Sequence, residues 1–388
     1  INGFNFSGNG DRIGTVITDT YEANPFKNLG MDNPNGSQRY YIGHVNWTGF
    51  NGLMEYTGSE KFSAVLQFGT SSQDYQWEGF YTAAPETKSR VVTVNGGYIK
   101  GGANYRANNN SNFFFNVGQI MRPPSFDGVF PNADYDFEEA DEILNESFTS
   151  FELGYGFRSS NFKGTINAYH TVWGDRTLRR STSIDDQGVR IIYSGVEQTH
   201  QGIEGEMTWY PSNRLRIKGM FSLGDWKYTK NFQGDAYFID NNQPAGTTGT
   251  LYLDGVKIGD AAQTVFYLGF DYKLSSKLSV DLDMMRYDNL HGRFGPLDSE
   301  FNSDNNRGSI KLPSWGTADL GATYSFNLLG YDARARLNVN NLFDEEYLSQ
   351  SQTNFHNDGG RTWNGVNVEN NVYFGKGTTW NLGLNIRF

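Results

Sequence analysis

Thr378-Thr379-Trp380-Asn381-Leu382-Gly383-Leu384-Asn385-Ile386-Arg387-Phe388 closes the chain and alternates without a break. Trp380, Leu382, Leu384, Ile386 and Phe388 fall on one face; Thr379, Asn381, Gly383, Asn385 and Arg387 fall on the other. A period of two is a β-strand, since successive side chains point to opposite sides. The run before it behaves alike: Tyr331, Ala333, Ala335, Leu337 and Val339 oppose Asp332, Arg334, Arg336, Asn338 and Asn340. About ten residues of such alternation suit a tilted strand crossing a bilayer. The pair reads as the closing hairpin of an antiparallel transmembrane β-barrel.

Composition agrees. Mean hydropathy is −0.59, and no run approaches the eighteen or so apolar residues of a spanning helix. Aromatics at 15% and 46 glycines are high for a soluble domain, whereas a barrel hides apolar residues at every second position. The net charge of −11 argues against nucleic acid as a partner. With no cysteine there is neither a disulfide framework nor a thiolate metal site. Residues 1–10 hold no basic segment followed by an apolar core, so the sequence is expected to be mature or cut from something longer.

Upstream, the same rule marks strands by their apolar faces. Examples are Phe62/Ala64/Leu66/Phe68, Phe151/Leu153/Tyr155/Phe157, Phe266/Leu268/Phe270/Tyr272 and Ala318/Leu320/Ala322/Tyr324. The count is about thirteen, after a loop-like segment at 1–39 with a weak strand near Ile13 to Ile17. Connections alternate between short turns and long loops; the long ones cover about 70–95, 122–147, 174–199, 227–262, 287–314 and 343–376. Outer-membrane barrels have this rhythm of periplasmic turns and extracellular loops. A soluble all-β fold is the alternative, with no reason to gather its long loops at one end. Thirteen strands put the two chain ends on opposite sides of a membrane, so either one strand near Ile13 is uncounted or, the favoured reading, strands lie upstream and residues 1–388 alone are not expected to close into a heat-resistant barrel.

Several stretches carry a resemblance. Asn338-Val339-Asn340-Asn341-Leu342-Phe343-Asp344-Glu345-Glu346-Tyr347 resembles the penultimate-strand motif of TonB-dependent outer-membrane receptors. Val117 to Ser125, Asn145 to Tyr155, His200 to Glu206 and Leu312-Pro313-Ser314-Trp315 resemble the same family in the same order. Phe388 resembles its C-terminal assembly signal. The resemblance implies the C-terminal part of a 22-stranded barrel in a Gram-negative outer membrane, with the plug and TonB-contacting box not in this sequence. It further implies TonB-dependent uptake of a scarce ligand, without a cofactor and without enzymatic activity. Implied partners are outer-membrane lipid and lipopolysaccharide, the TonB complex reached through the plug, the imported ligand and, as an option, a surface lipoprotein. A passive porin is the competing reading.

Candidates for chemistry are few. Glu204 and Glu206 share a face, as a catalytic pair would, but in a barrel they read as lumen residues, solvated by water or paired with Arg216 or Lys218. Arg334 and Arg336 read as lumen charges or plug contacts. The five histidines show no metal-ligand spacing. His170 shares the lipid-facing parity of Phe162 and Ile166 and suits the headgroup level. The acidic run Asp134 to Glu142 could hold Ca²⁺ but lacks an EF-hand pattern and reads as a solvated loop. Leu251 to Ile258 carries an Asp-Gly hairpin signal. Trp173, Arg176, Arg179 and Arg180 gather near the outer mouth; they suit an anionic ligand or a lipopolysaccharide headgroup equally.

Overall fold

The computed structural model describes residues 41–79, 88–130, 139–140, 142–184, 187–238, 243–295 and 298–387. The segment 1–39, most of the acidic run and Phe388 lie outside these. The strands are β1 (Tyr41–Tyr56), β2 (Phe62–Gly79), β3 (Val92–Arg106), β4 (Ser111–Arg122), β5 (Glu146–Arg158), β6 (Phe162–Ile184), β7 (Gln187–Ser212) and β8 (Leu215–Tyr228). There follow β9 (Phe232–Phe238), β10 (Pro244–Leu251), β11 (Thr264–Lys273), β12 (Leu278–Asp288), β13 (Trp315–Leu328) and β14 (Tyr331–Asn340). Within the last long connection lie β15 (Leu348–Ser351), β16 (Thr362–Trp363), β17 (Val366–Asn367) and β18 (Val372–Phe374), and β19 (Thr379–Arg387) ends the series. The sheet runs β1-β2-β3-β4-β5-β6-β7-β8-β11-β12-β13-β14-β19, the thirteen wall strands expected from periodicity.

Two compact units divide the chain. One comprises 51–68, 98–121 and 146–388; the other comprises 1–50, 69–97 and 122–145. In the second, Tyr75, Trp77, Val92, Val129 and Phe130 form a buried cluster beside the short helix α1 (Phe126–Val129). The Tyr75 hydroxyl donates to the Pro124 carbonyl at 2.8 Å, and His44 bonds Glu78 at 2.7 Å. Within the acidic run, Glu139 pairs with Arg90, while Glu142 is exposed.

In the larger unit, register sorts the wall by face. Phe162, Trp209, Ile217, Phe270, Leu282, Leu320, Val339 and Trp380 are successive cross-strand partners over eight strands, with no polar residue in the row. One residue along, Arg216, Asp271, Asp281, Gly321, Asn338 and Asn381 form a polar row on the opposite face. The apolar side is the uncovered one: Trp380 is 71% exposed and Leu384 60%. Large apolar side chains in water at this density would be an aggregation surface. In hydrocarbon they are the solvated face.

The opposite face holds its charges in pairs. Arg216 meets Asp271 at 2.8 Å, and Lys218 meets Asp283 at 3.1 Å. Arg336 grips both oxygens of Asp281 at 2.8 and 2.9 Å. That last pair reaches from β12 to β14 across β13, and it crosses over Gly321. A Cβ there would sit 2.1 Å from an Asp281 oxygen and 2.5 Å from an Arg336 nitrogen. Glycine leaves the gap through which the ion pair closes. Arg216 and Lys218 are therefore engaged by aspartates, and the expected pairing with Glu204 or Glu206 is not made; Glu204 accepts instead from the Ser222 hydroxyl at 3.0 Å.

The apolar band ends in identifiable residues. At the long-loop end, His170, Gln201 and Asp225 succeed one another on the outward face, with His170 and Gln201 3.1 Å apart and Gln201 donating to Asp225 at 3.2 Å. His170 thus sits in a polar row suited to headgroups. At the short-turn end Phe157, Trp209, Tyr272, Tyr324 and Tyr331 are exposed outward, with Phe162 half-buried beside Phe157, an aromatic girdle. From Gln201 to Trp209 a tilted strand rises roughly 20–25 Å, the height of such a band.

Fully buried side chains lie in the long connections instead. Val189, Tyr193, Val196, Leu251, Leu253 and Phe301 are completely or almost completely covered and form one cluster. Leu290, Ile310, Leu312, Leu348 and Val366 form another. The 174–199 segment, expected as a loop, is strand: β6 and β7 stay paired as far as Ile184 and Gln187. The expected hairpin at Leu251 to Ile258 is displaced. β9 pairs with β10 just upstream, while Asp254-Gly255 makes a tight turn in which Gly255 takes φ +78° and the Val256 amide reaches the Leu253 carbonyl at 2.9 Å.

The face assignment is testable by charge insertion. Leu384→Arg is expected to cost about 2–4 kcal/mol in refolding into bilayers near the midplane, and Asn385→Arg close to nothing. Equal costs at the two positions would contradict the assignment.

Candidate functional site

Of the four residues picked from sequence, the structure brings Trp173 and Arg176 together. Both point to the charged inner face at the long-loop end, where β6 departs from regular register between Trp173 and Arg176 and again before Leu178. These bulges turn the Arg176 guanidinium back over the Trp173 ring, 3.9 Å from its centroid. Phe148, directly opposite on β5, stacks on the same indole at 5.0 Å, and the indole N–H donates to Glu146 at 3.3 Å. The Trp173 ring is thus engaged by the protein itself. It packs against the Arg176 guanidinium and the Phe148 ring. The Nε of Arg176 is buried and makes no hydrogen bond.

Arg179 and Arg180 lie beyond the second bulge, opposite Ile192 and Ile191 on the extended hairpin. Neighbours from other strands complete the site, and the sequence did not reveal them. The Arg176 charge acts on both His200 and Tyr228. His200 packs on Trp226 at 5.6 Å, and the Trp226 indole donates to the Tyr169 hydroxyl at 2.9 Å. Tyr228 is buried against Phe294 of the 287–314 connection at 5.7 Å. Only register places these residues beside Arg176; the sequence signal available was their shared parity. Among the described residues no three His, Asp or Glu side chains come together as a metal site.

The Asn340–Tyr347 motif has a structural job. Asn341 takes a left-handed φ of +48°, a conformation Asn tolerates better than most residues. Its side chain donates to the Glu345 and Lys376 carbonyls at 2.9 and 3.1 Å and accepts from the Glu345 amide at 2.9 Å. Its backbone amide donates to Asp319 on the wall at 2.8 Å. Asp344 accepts from the Thr378 amide at 2.8 Å, and the Leu342 amide reaches the Ala318 carbonyl at 2.7 Å. Asn340 donates to Thr379 at 3.2 Å. Tyr347 stacks on Trp315 at 3.8 Å, which stacks on Tyr287 at 4.1 Å. The motif clasps both ends of the last long connection to the rim. Phe343 takes no part and is 78% exposed.

The connections are also tied to one another. Arg307 bonds Glu300 at 2.8 Å and Asp358 at 2.6 Å, so a single guanidinium links 287–314 to 343–376. The Gln350 amide reaches Asp260 at 2.8 Å. The Arg307 hydrogen bond holds the Glu300 carboxyl down at about 2. A depressed carboxyl stabilises the fold above its unfolded value, near 4.5, and that contribution is lost as pH falls through about 2. Amide-exchange protection at 299–307 is therefore expected to be flat above pH 4.5 and to decline from there to pH 2. Arg307→Gln should lower protection at neutral pH and flatten the decline; an unchanged profile would show that the pair does not hold this connection.

A family model described as "TonB dependent receptor-like, beta-barrel" matches residues 2–342. No curated protein matches the sequence significantly. Among solved structures, the siderophore receptor PiuA from Acinetobacter baumannii is similar at TM-score 0.63 and 13% identity, covering 89% of this chain and 43% of that one. The ferric yersiniabactin uptake receptor FyuA from Yersinia pestis is similar at 0.58 and 12%, covering 90% and 47%. The copper transporter OprC gives 0.57 and 14%, covering 90% and 48%. At these identities the likeness is one of fold, and the chain spans just under half the length of these structures. The family match covers most of the chain, and its wall is apolar outside, charged inside and long-looped at one end: this chain belongs to the TonB-dependent receptor β-barrel family, whose members are outer-membrane β-barrels.

Proposed function

We propose that the chain is the barrel portion of a receptor that takes up a scarce anionic ligand by TonB-dependent transport. The long-loop mouth binds the ligand, and Arg176, held on Trp173, makes the first charged contact. Arg179 and Arg180 follow it in sequence on the β6–β7 hairpin, opposite Ile192 and Ile191. The supporting observation is the Arg176–Trp173 pair on the inner face, a cation kept partly out of water and without a carboxylate partner among the described residues, in a protein of net charge −11. A guanidinium so placed favours a planar, bidentate anion such as a carboxylate or catecholate. Similar proteins include receptors for ferric chelates, and a metal chelate is the ligand class that this reading selects. Energy coupling runs through a plug and the TonB complex, as in the family.

The test is uptake of a panel of ferric chelates by cells carrying the full receptor. Saturable uptake abolished by a protonophore is expected, and uptake linear in concentration and indifferent to the protonophore would instead describe a porin. Arg176→Ser removes a charge-assisted bond of about 1.5–3 kcal/mol, so half-saturation should rise roughly ten- to hundredfold. Adding Arg179→Ser and Arg180→Ser should raise it further with the wall's heat stability unchanged. Unchanged half-saturation in the triple variant would move the ligand elsewhere in the mouth.

A further inference from the structure

Gln263, just before β11, is 1% exposed and shares the inward parity of Tyr267. The backbone ladder between β8 and β11 ends beside it: the Gly224 amide donates to the Gln263 carbonyl at 2.6 Å, and the next rung on β8, at Trp226, has no backbone partner on β11. The Gln263 side chain supplies that rung. Its Oε1 accepts from the Trp226 amide at 2.9 Å, and its Nε2 donates to the Trp226 carbonyl at 3.0 Å. A primary amide carries the same acceptor and donor as a peptide group, so it can stand in for one. Nε2 also donates to the Ile258 carbonyl at 3.2 Å, and the Ile258 amide returns to the Trp226 carbonyl at 3.1 Å. A backbone rung at this height would keep the 251–263 connection in the sheet. The side-chain rung lets the connection leave while Trp226 stays in register.

Trp226 is the residue so held. It is the direct partner of His200, in the inward row next to the one that holds Trp173, Gln198 and Tyr228. Its indole N–H reaches from β8 across β7 to the Tyr169 hydroxyl on β6, and it passes over Gly202, where a Cβ would stand 2.7 Å from the Tyr169 oxygen. His200 packs on the same ring. Indole, imidazole and phenol thus form an aromatic floor in the rows beside Arg176. We infer that Gln263 is a positioning residue for the ligand site: its side-chain amide, taking the place of a strand rung, sets the Trp226 ring and with it the floor against which an anion held by Arg176 rests. Its part in binding rests on the ligand reading above; its hold on Trp226 does not.

The test uses the full receptor, plug included, labelled with fluorotryptophan; the Trp226 fluorine resonance is the one lost in Trp226→Phe. Gln263→Met keeps the volume and removes the hydrogen bonds, so it should displace that resonance at every pH. Gln263→Glu buries a carboxyl against two carbonyl oxygens, which raises its pKa. Charged, it breaks the rung; protonated, it keeps one acceptor and one donor. Its resonance should therefore differ from the parent's at about pH 9 and converge on it towards about pH 6. A parent-like resonance in Gln263→Met would overturn the inference, as would a Gln263→Glu difference that ignores pH; the second variant decides if the first does not fold. With ferric tris-catecholate as probe, Gln263→Met should weaken binding about three- to tenfold. Ser309→Ala, which frees the 251–263 connection at the Lys257 carbonyl without touching Trp226, should bind as the parent does. Parent-like binding by Gln263→Met would overturn the positioning role and leave Arg176 standing. Weakened binding by Gln263→Met beside parent-like binding by Arg176→Ser would do the reverse. If the parent does not bind this chelate, the ligand reading loses its catecholate class, and the resonance still decides for or against Gln263.

Discussion

Hydrocarbon accepts no hydrogen bonds, so every backbone amide and carbonyl that crosses it must be paired within the protein. The wall answers with continuous antiparallel ladders, and the alternation of side chains follows from that choice. Once one face is given to lipid, the other must take every polar residue the strands carry. A one-residue slip would exchange the row from Phe162 to Trp380 with the row from Arg216 to Asn381. Register is therefore fixed by a solvent boundary, and no packed core is needed inside the spanning band. The paired charges on the inner face secure it further. Arg336 reaching over Gly321 to Asp281 holds three strands at one height.

Packing in the usual sense is displaced to the long connections. Leu253 and Phe301 are completely covered although they lie in segments without an extended strand pattern. The Asn341 clasp, the Tyr287–Trp315–Tyr347 stack and the Arg307 link then fasten these connections to the rim and to each other. The mouth is thereby a built surface. A ligand arriving there meets groups held in position, which lowers the ordering cost of binding.

The division between what the sequence disclosed and what it concealed follows from the same physics. The wall was legible down to its strand number because each strand touches lipid on one side and water on the other, and period two records that contact residue by residue. The loop cores were not legible. Leu253, Phe301 and Val189 meet only after three separate connections fold together, and nothing local to any of them records the meeting. The β6–β7 extension was missed because above the membrane both its faces can be covered, which erases the alternation. At the mouth, Trp173 and Arg176 could be picked as near neighbours, but His200, Trp226 and Tyr228 come from β7 and β8 by register. The bulges that turn Arg176 onto the indole have no signature in composition.

The account depends on one face of the wall meeting lipid and the other water, and β13 tests it most directly. Spin labels placed singly from Thr317 to Phe326, with the protein in bilayers, report accessibility to oxygen and to a water-soluble nickel chelate. Oxygen should peak at 318, 320, 322 and 324 and nickel at 317, 319, 321 and 323, in strict alternation. Comparable nickel accessibility at both sets of positions would mean that water wets both faces, and the transmembrane wall would be contradicted.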